Sequence, residues 1–132
     1  MLSPLRKNTN SGTTLAVDCE YPEFLSTLWG AFGPPRFAVY LPIPFLVEKL
    51  PEALTDGSFC DAAFARRTDG RELLPETELI EFERKLRVRH ETAREKARAK
   101  LHDGGTLADA AKILDAAFRR NWADTAKLCA CK

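Results

Sequence analysis

Eight side chains in this sequence could carry chemistry: Cys19, Cys60, Cys129 and Cys131, His90 and His102, and Arg6 and Arg36. A thiol becomes a useful nucleophile when a neighbouring base or the positive end of a helix favours the thiolate. Neither Cys19 nor Cys60 has such a neighbour in sequence. Cys129 and Cys131 close the chain as Cys-Ala-Cys-Lys, and one alternate-residue pair holds a soft metal only with partner ligands. No second cysteine pair or histidine cluster supplies them, and Cys129 continues an apolar helical stripe. His90 and His102 fall on one helix, about 18 Å apart if it is straight, too far to share a metal or act as a pair. Arg6 and Arg36 could hold an anion. There is no Gly-x-Ser-x-Gly, no phosphate-binding loop and no His-Glu-x-x-His. The residues therefore assign no catalytic set, no cofactor site and no metal site.

The elements that must position these residues divide the chain into two parts. Residues 1–60 are rich in proline and aromatics. Thr13 to Cys19 alternates, with Leu15, Val17 and Cys19 on one side, the period of a half-buried strand. Glu20-Tyr21-Pro22-Glu23 breaks it. Leu25 to Phe32 and Arg36 to Leu41 read as second and third strands around a Gly33-Pro34-Pro35 turn, and Pro42 and Pro44 are expected to end the third. Short connections predict an antiparallel meander.

Residues 75–130 read as an αα-hairpin. Pro75 suits a helix start, while Glu76 and Glu78 suit its positive end. Leu79, Phe82, Leu86, Ala93, Ala97 and Leu101 form a stripe, and Gly104-Gly105 supplies a stop. Thr106 is a good N-cap with Asp109 three residues on, and Leu107, Ala110, Leu114, Ala117, Phe118, Trp122 and Cys129 line the second helix. The first helix, at about 26 residues, would run roughly 39 Å, long for so small a chain. The fold class expected is a single α+β unit over residues 1–132, with a three-stranded antiparallel meander followed by a helical hairpin.

Composition narrows the function classes. Twenty basic against nineteen acidic residues give a formal charge of +1, so no net field recruits nucleic acid or a membrane surface. Arg84, Lys85, Arg87, Arg89, Arg94, Lys96, Arg98 and Lys100 interleave with Glu81, Glu83, Glu91 and Glu95, which reads as a solvated face of intrahelical ion pairs. No apolar run reaches the roughly 20 residues of a membrane span, and the N-terminus lacks a signal-like apolar core. A cytoplasmic location is the expectation.

The stretch from Arg6 through Leu54 resembles the N-terminal-nucleophile hydrolases that cleave linear amide bonds, the cysteine-type group of dipeptidases, secernins, carcinine hydrolase-like proteins and penicillin acyltransferases. The resemblance rests on Arg6 followed by Gly12-Thr13-Thr14-Leu15-Ala16-Val17, then Trp29 with Gly33-Pro34-Pro35, then Tyr40-Leu41-Pro42, then Leu50-Pro51-Glu52-Ala53-Leu54 and the charged helix pair. It implies an αββα sandwich whose nucleophile is the N-terminal residue of the mature chain, with its own α-amino group as base. It also implies that this sequence is the closing portion of that fold, without the early segment that carries the nucleophilic Cys. Cys19, within Asp-Cys-Glu-Tyr-Pro, does not match the nucleophile's context, and Arg6 is the one position that matches a substrate- or nucleophile-supporting residue.

Two readings follow. In the first, the chain is a C-terminal segment or subunit of an amide hydrolase or acyltransferase and is not catalytically self-sufficient. In the second, it is a non-catalytic interaction module that uses its helical hairpin or sheet face. Both expect a protein partner or self-association, because an incomplete fold and an unoccupied interface each expose apolar surface.

Overall fold

The computed structural model describes residues 11–34 and 36–130. Three strands, β1 (Gly12–Ala16), β2 (Thr27–Ala31) and β3 (Tyr40–Pro44), form one antiparallel sheet in the order β1-β2-β3. Five helices accompany it: α1 (Pro22–Leu25), α2 (Glu52–Thr55), α3 (Ser58–Asp69), α4 (Glu76–His102) and α5 (Leu107–Ala130). The α+β class and the three-stranded antiparallel sheet agree with expectation.

The strand boundaries differ from those expected, for identifiable reasons. Pro22 opens a single helical turn that runs through Leu25, so the second strand starts at Thr27 rather than at Leu25. The third strand lies further along the chain, and Pro42 and Pro44 belong to it. Trp29 faces Pro42 and Thr27 faces Pro44. The N–H of Phe45 donates to the Ser26 carbonyl at 3.1 Å, so 41, 43 and 45 turn their backbone groups toward β2 and 40, 42 and 44 turn theirs outward. The missing donors of both prolines therefore fall on the free edge, where a ladder does not need them. Tyr40 has the remaining outward N–H, and it donates to Oε2 of Glu83 on α4 at 2.5 Å.

β2 and β3 are joined by residues 32–39, a longer connection than the tight turn expected. Gly33 has φ of +135°, and a Cβ there would lie 2.5 Å from the Ala63 Cβ of α3. Pro35 lies outside the described residues. α3 is an element the sequence reading did not assign. The guanidinium of its buried Arg66 donates twice to the Phe37 carbonyl, at 2.9 and 2.7 Å, and so fastens the connection. Asp69 is the last residue of that helix and Gly70 its cap. Gly70 is left-handed, and its N–H and that of Arg71 return to the Arg67 and Arg66 carbonyls.

The two long helices follow their sequence signals closely. α4 has 27 residues, with acidic residues in its first turn and Lys100 and His102 in its last. α5 is opened by a reciprocal cap: Asp109 N–H donates to Thr106 Oγ1 at 3.2 Å, and Thr106 N–H donates to Asp109 Oδ2 at 3.0 Å. Their seam buries Leu86, Ala93 and Ala97 against Ala110, Leu114, Ala117 and Phe118. α4 does not project past the rest; it also meets β3 and α1. None of the helices among the described residues is long and apolar enough to cross a membrane.

Burial falls across the sheet. In the row Ile43–Leu28–Leu15, Ile43 is 7% exposed, Leu28 is half-buried and Leu15 is 55% exposed. Val17, two residues on, is 60% exposed. The expectation that Leu15, Val17 and Cys19 form a half-buried face is thus corrected: all three are exposed, because no described element lies beyond β1 or over this end of the sheet.

Candidate functional site

His90, Arg94, Arg98 and His102 recur every fourth residue on α4, so they form one stripe along it. The stripe faces the start of β2 and the turn after β1, and it gathers most of the buried polar groups outside the helix seam.

At one end, Nε2 of His90 lies 2.7 Å from Oγ1 of Thr27, and the edge of the Trp29 ring meets the imidazole with centroids 5.9 Å apart. Burial, and secondarily the charge of Arg94, pushes the His90 pKa down to about 4, so the ring is neutral at pH 7. A hydroxyl bonded to an imidazole has the form of a nucleophile–base pair. Here Thr27 is 1% and His90 2% exposed, and among the described residues no carboxylate accepts a hydrogen bond from the ring to orient it. The pair is sealed from any substrate, and its chemistry is that of a structural bond between β2 and α4.

In the middle, the buried carboxylate of Asp18 accepts from Nη2 of Arg98, lies 3.6 Å from Nη1 of Arg94, and accepts the N–H groups of Glu20 and Tyr21 at 2.9 and 2.7 Å. The Asp18 N–H donates to Ser26 Oγ at 3.0 Å. The Arg98 hydrogen bond above all holds the Asp18 carboxyl far below the usual carboxylate range, against the opposing effect of burial. It stays ionised and is no proton donor at neutral pH. Glu20 closes the stripe, bonded to Arg98 at 2.9 Å and to Nε2 of His102 at 2.8 Å, and Arg98 first and His102 second lower its pKa.

Arg94 and Arg98 belong in sequence to the mixed-charge run expected to form a solvated face. They do pair with Glu91 and Glu95 along the helix, but each also turns inward to Asp18. The period-four spacing of the stripe was visible in the sequence. Its acidic partner was not, because Asp18 reads as a strand residue and lies 80 positions away.

The remaining expected residues are dispersed. Arg6 and Cys131 lie outside the described residues. Arg36 is engaged by Glu72 at 3.1 Å and Glu76 at 3.5 Å, which removes it as an open anion holder. Cys19 is exposed beside Asp18, with no histidine bonded to it. Cys60 is half-buried on α3. Cys129 lies beside Arg66, and burial pushes its thiol pKa up despite that cation. Among the described residues no group of three His, Cys, Asp or Glu could hold a metal ion. A cleft of about 500 Å³ between residues 49–52 and α5 has an apolar floor of Phe118 and Trp122 but no nucleophile.

The chain matches no family model, and no curated protein or solved structure resembles it significantly.

Proposed function

We propose that this chain is the closing portion of a cysteine-type N-terminal-nucleophile amide hydrolase or acyltransferase, supplying sheet and helices but not the nucleophile. The observation that carries the reading is the open apolar strip along β1. In a sheet-on-sheet sandwich each inner face is apolar and covered by the opposing sheet. Leu15 and Val17 stand in water at the β1 end of a sheet face whose β3 end, Leu41 and Ile43, is buried with Leu86 of α4 and Phe118 of α5, and a further layer beside those helices would cover them. Each large side chain so covered contributes about 1.5–3 kcal/mol, which favours association with the missing layer. The dispersed cysteines fit a chain that receives its nucleophile from elsewhere, and Arg6 keeps the substrate-side role the resemblance gives it.

The test is complementation. Produced alone, the chain should leave penicillin V, a bile-salt conjugate and a dipeptide intact. Mixed with a Cys-led polypeptide encoded directly upstream, it should support thiol-dependent hydrolysis. Absence of any such upstream segment, or turnover by the isolated chain that Cys19→Ala abolishes, would overturn the proposal. A non-catalytic interaction module would use the same strip, and it predicts binding of a partner without hydrolysis.

A further inference from the structure

The two edges of the sheet are chemically unlike. On β3 the outward positions are Tyr40, Pro42 and Pro44, whose only N–H is taken by Glu83. On β1 the same alternation turns Gly12, Thr14 and Ala16 toward β2 and leaves the backbone groups of Thr13, Leu15 and Val17 facing outward. This edge carries none of the usual guards. It has no proline, no charged side chain and no covering element among the described residues. The side chains of Leu15 and Val17 stand exposed beside these same backbone groups.

We propose that the β1 edge is a strand-addition site for a second, different polypeptide, whose uncharged strand pairs with Thr13, Leu15 and Val17 and whose adjoining apolar surface covers the latter two. Area decides against a second copy of this chain. Pairing two five-residue strands edge to edge falls well short of the roughly 1,600 Å² of a stable interface. A partner that supplies both a strand and a layer over the face can reach it. The inference rests on the proposed function only in treating the open strip as an interface, and it is independent of amide hydrolysis.

The probe is the soluble strand peptide Lys-Thr-Val-Thr-Val-Thr-Val-Thr-Lys, added to the isotope-labelled full chain and followed by amide NMR. Saturable shifts are expected at Thr13, Leu15 and Val17, with amide exchange there slowed about tenfold or more and no change at Tyr40 or Leu41. Thr13→Pro removes one outward donor without touching the inward ladder and should abolish the effect. If that variant fails to fold, Leu15→Lys should abolish it by placing charge on the strip. Unchanged exchange at saturating peptide would overturn the proposal, as would protection on the β3 side. So would a peptide-free dimer that protects the same three amides, since the occupant would then be a second copy. Peptide capture by a chain that never supports hydrolysis in the complementation assay keeps this inference and discards the enzyme reading.

Discussion

Asp18 and Arg98, 80 positions apart, form the charge pair that fixes the end of β1 to the far half of α4. Asp18 brings two backbone N–H bonds of its own turn and Arg98 brings Glu20, so the pair joins a loop to a helix rather than two isolated side chains.

Removing one partner should therefore cost more than a surface ion pair does. Arg98→Ala leaves the buried Asp18 carboxylate with the Glu20 and Tyr21 N–H groups and the more distant Arg94, and should destabilise by about 1–3 kcal/mol in a urea titration at pH 7. The folded pKa of Asp18 is depressed, so its stabilisation is present above its ordinary value of 3.8 and is lost as pH falls below it. Asp18→Asn should flatten that acid limb. A wild-type acid limb in Asp18→Asn would show that other carboxylates govern it.

Glu83 behaves in the opposite sense. Burial pushes its carboxyl up to about 7 from 4.5, although the Tyr40 N–H favours the ionised form. A raised folded pKa contributes stability below the unfolded value, and that contribution is lost as pH rises through the folded one. Glu83→Gln keeps an oxygen for Tyr40 and cannot ionise. It should gain about 1–2 kcal/mol relative to wild type between pH 5 and pH 8, read from denaturation midpoints at each pH. A difference independent of pH would refute the assignment.

The Thr27–His90 bond should show as a coupled pair. His90→Phe strands a buried hydroxyl and should cost about 1–3 kcal/mol, while adding Thr27→Val should recover part of the loss. His90 has a depressed pKa, so its contribution is present above 6.5 and is lost as pH falls toward 4. The single and double variants should both lack that loss. Strict additivity in the cycle would mean the two groups do not interact.

Gly33→Ala combines an unfavourable φ with a Cβ 2.5 Å from that of Ala63, and about 1–3 kcal/mol of destabilisation is expected. Ala63→Gly should relieve the steric part alone. Trp29→Ala should fall below the about 3–5 kcal/mol of a fully buried tryptophan, because the ring is only half-buried. Calorimetric melting of the four proteins checks both statements.

What the sequence revealed follows the reach of its signals. α4 and α5 were legible because caps and period are local: Pro75, Glu76, Thr106 and Asp109 act within one turn of themselves. α3 was hidden because Phe59 and Ala63 bury themselves without a broad apolar stripe, and its most buried polar residue, Arg66, reads as surface. The third strand was displaced because a proline forbids a ladder bond on one side only, and the sequence does not say which side faces a neighbour. In the candidate site, the helical half was readable as a spacing of four. Asp18 and Thr27 were not, since their partners are set by how the sheet lies on α4.

The unlike edges also bear on how copies of this chain can aggregate. With both prolines and the Glu83-bound Tyr40 on one side, the sheet formed by the described residues has a single side able to donate to a neighbouring ladder. Sheet-wise contact between copies thus ends at a pair, each using its one open side. A filament needs two joinable sides per subunit, and a fold with only one has no route to endless growth by strand pairing.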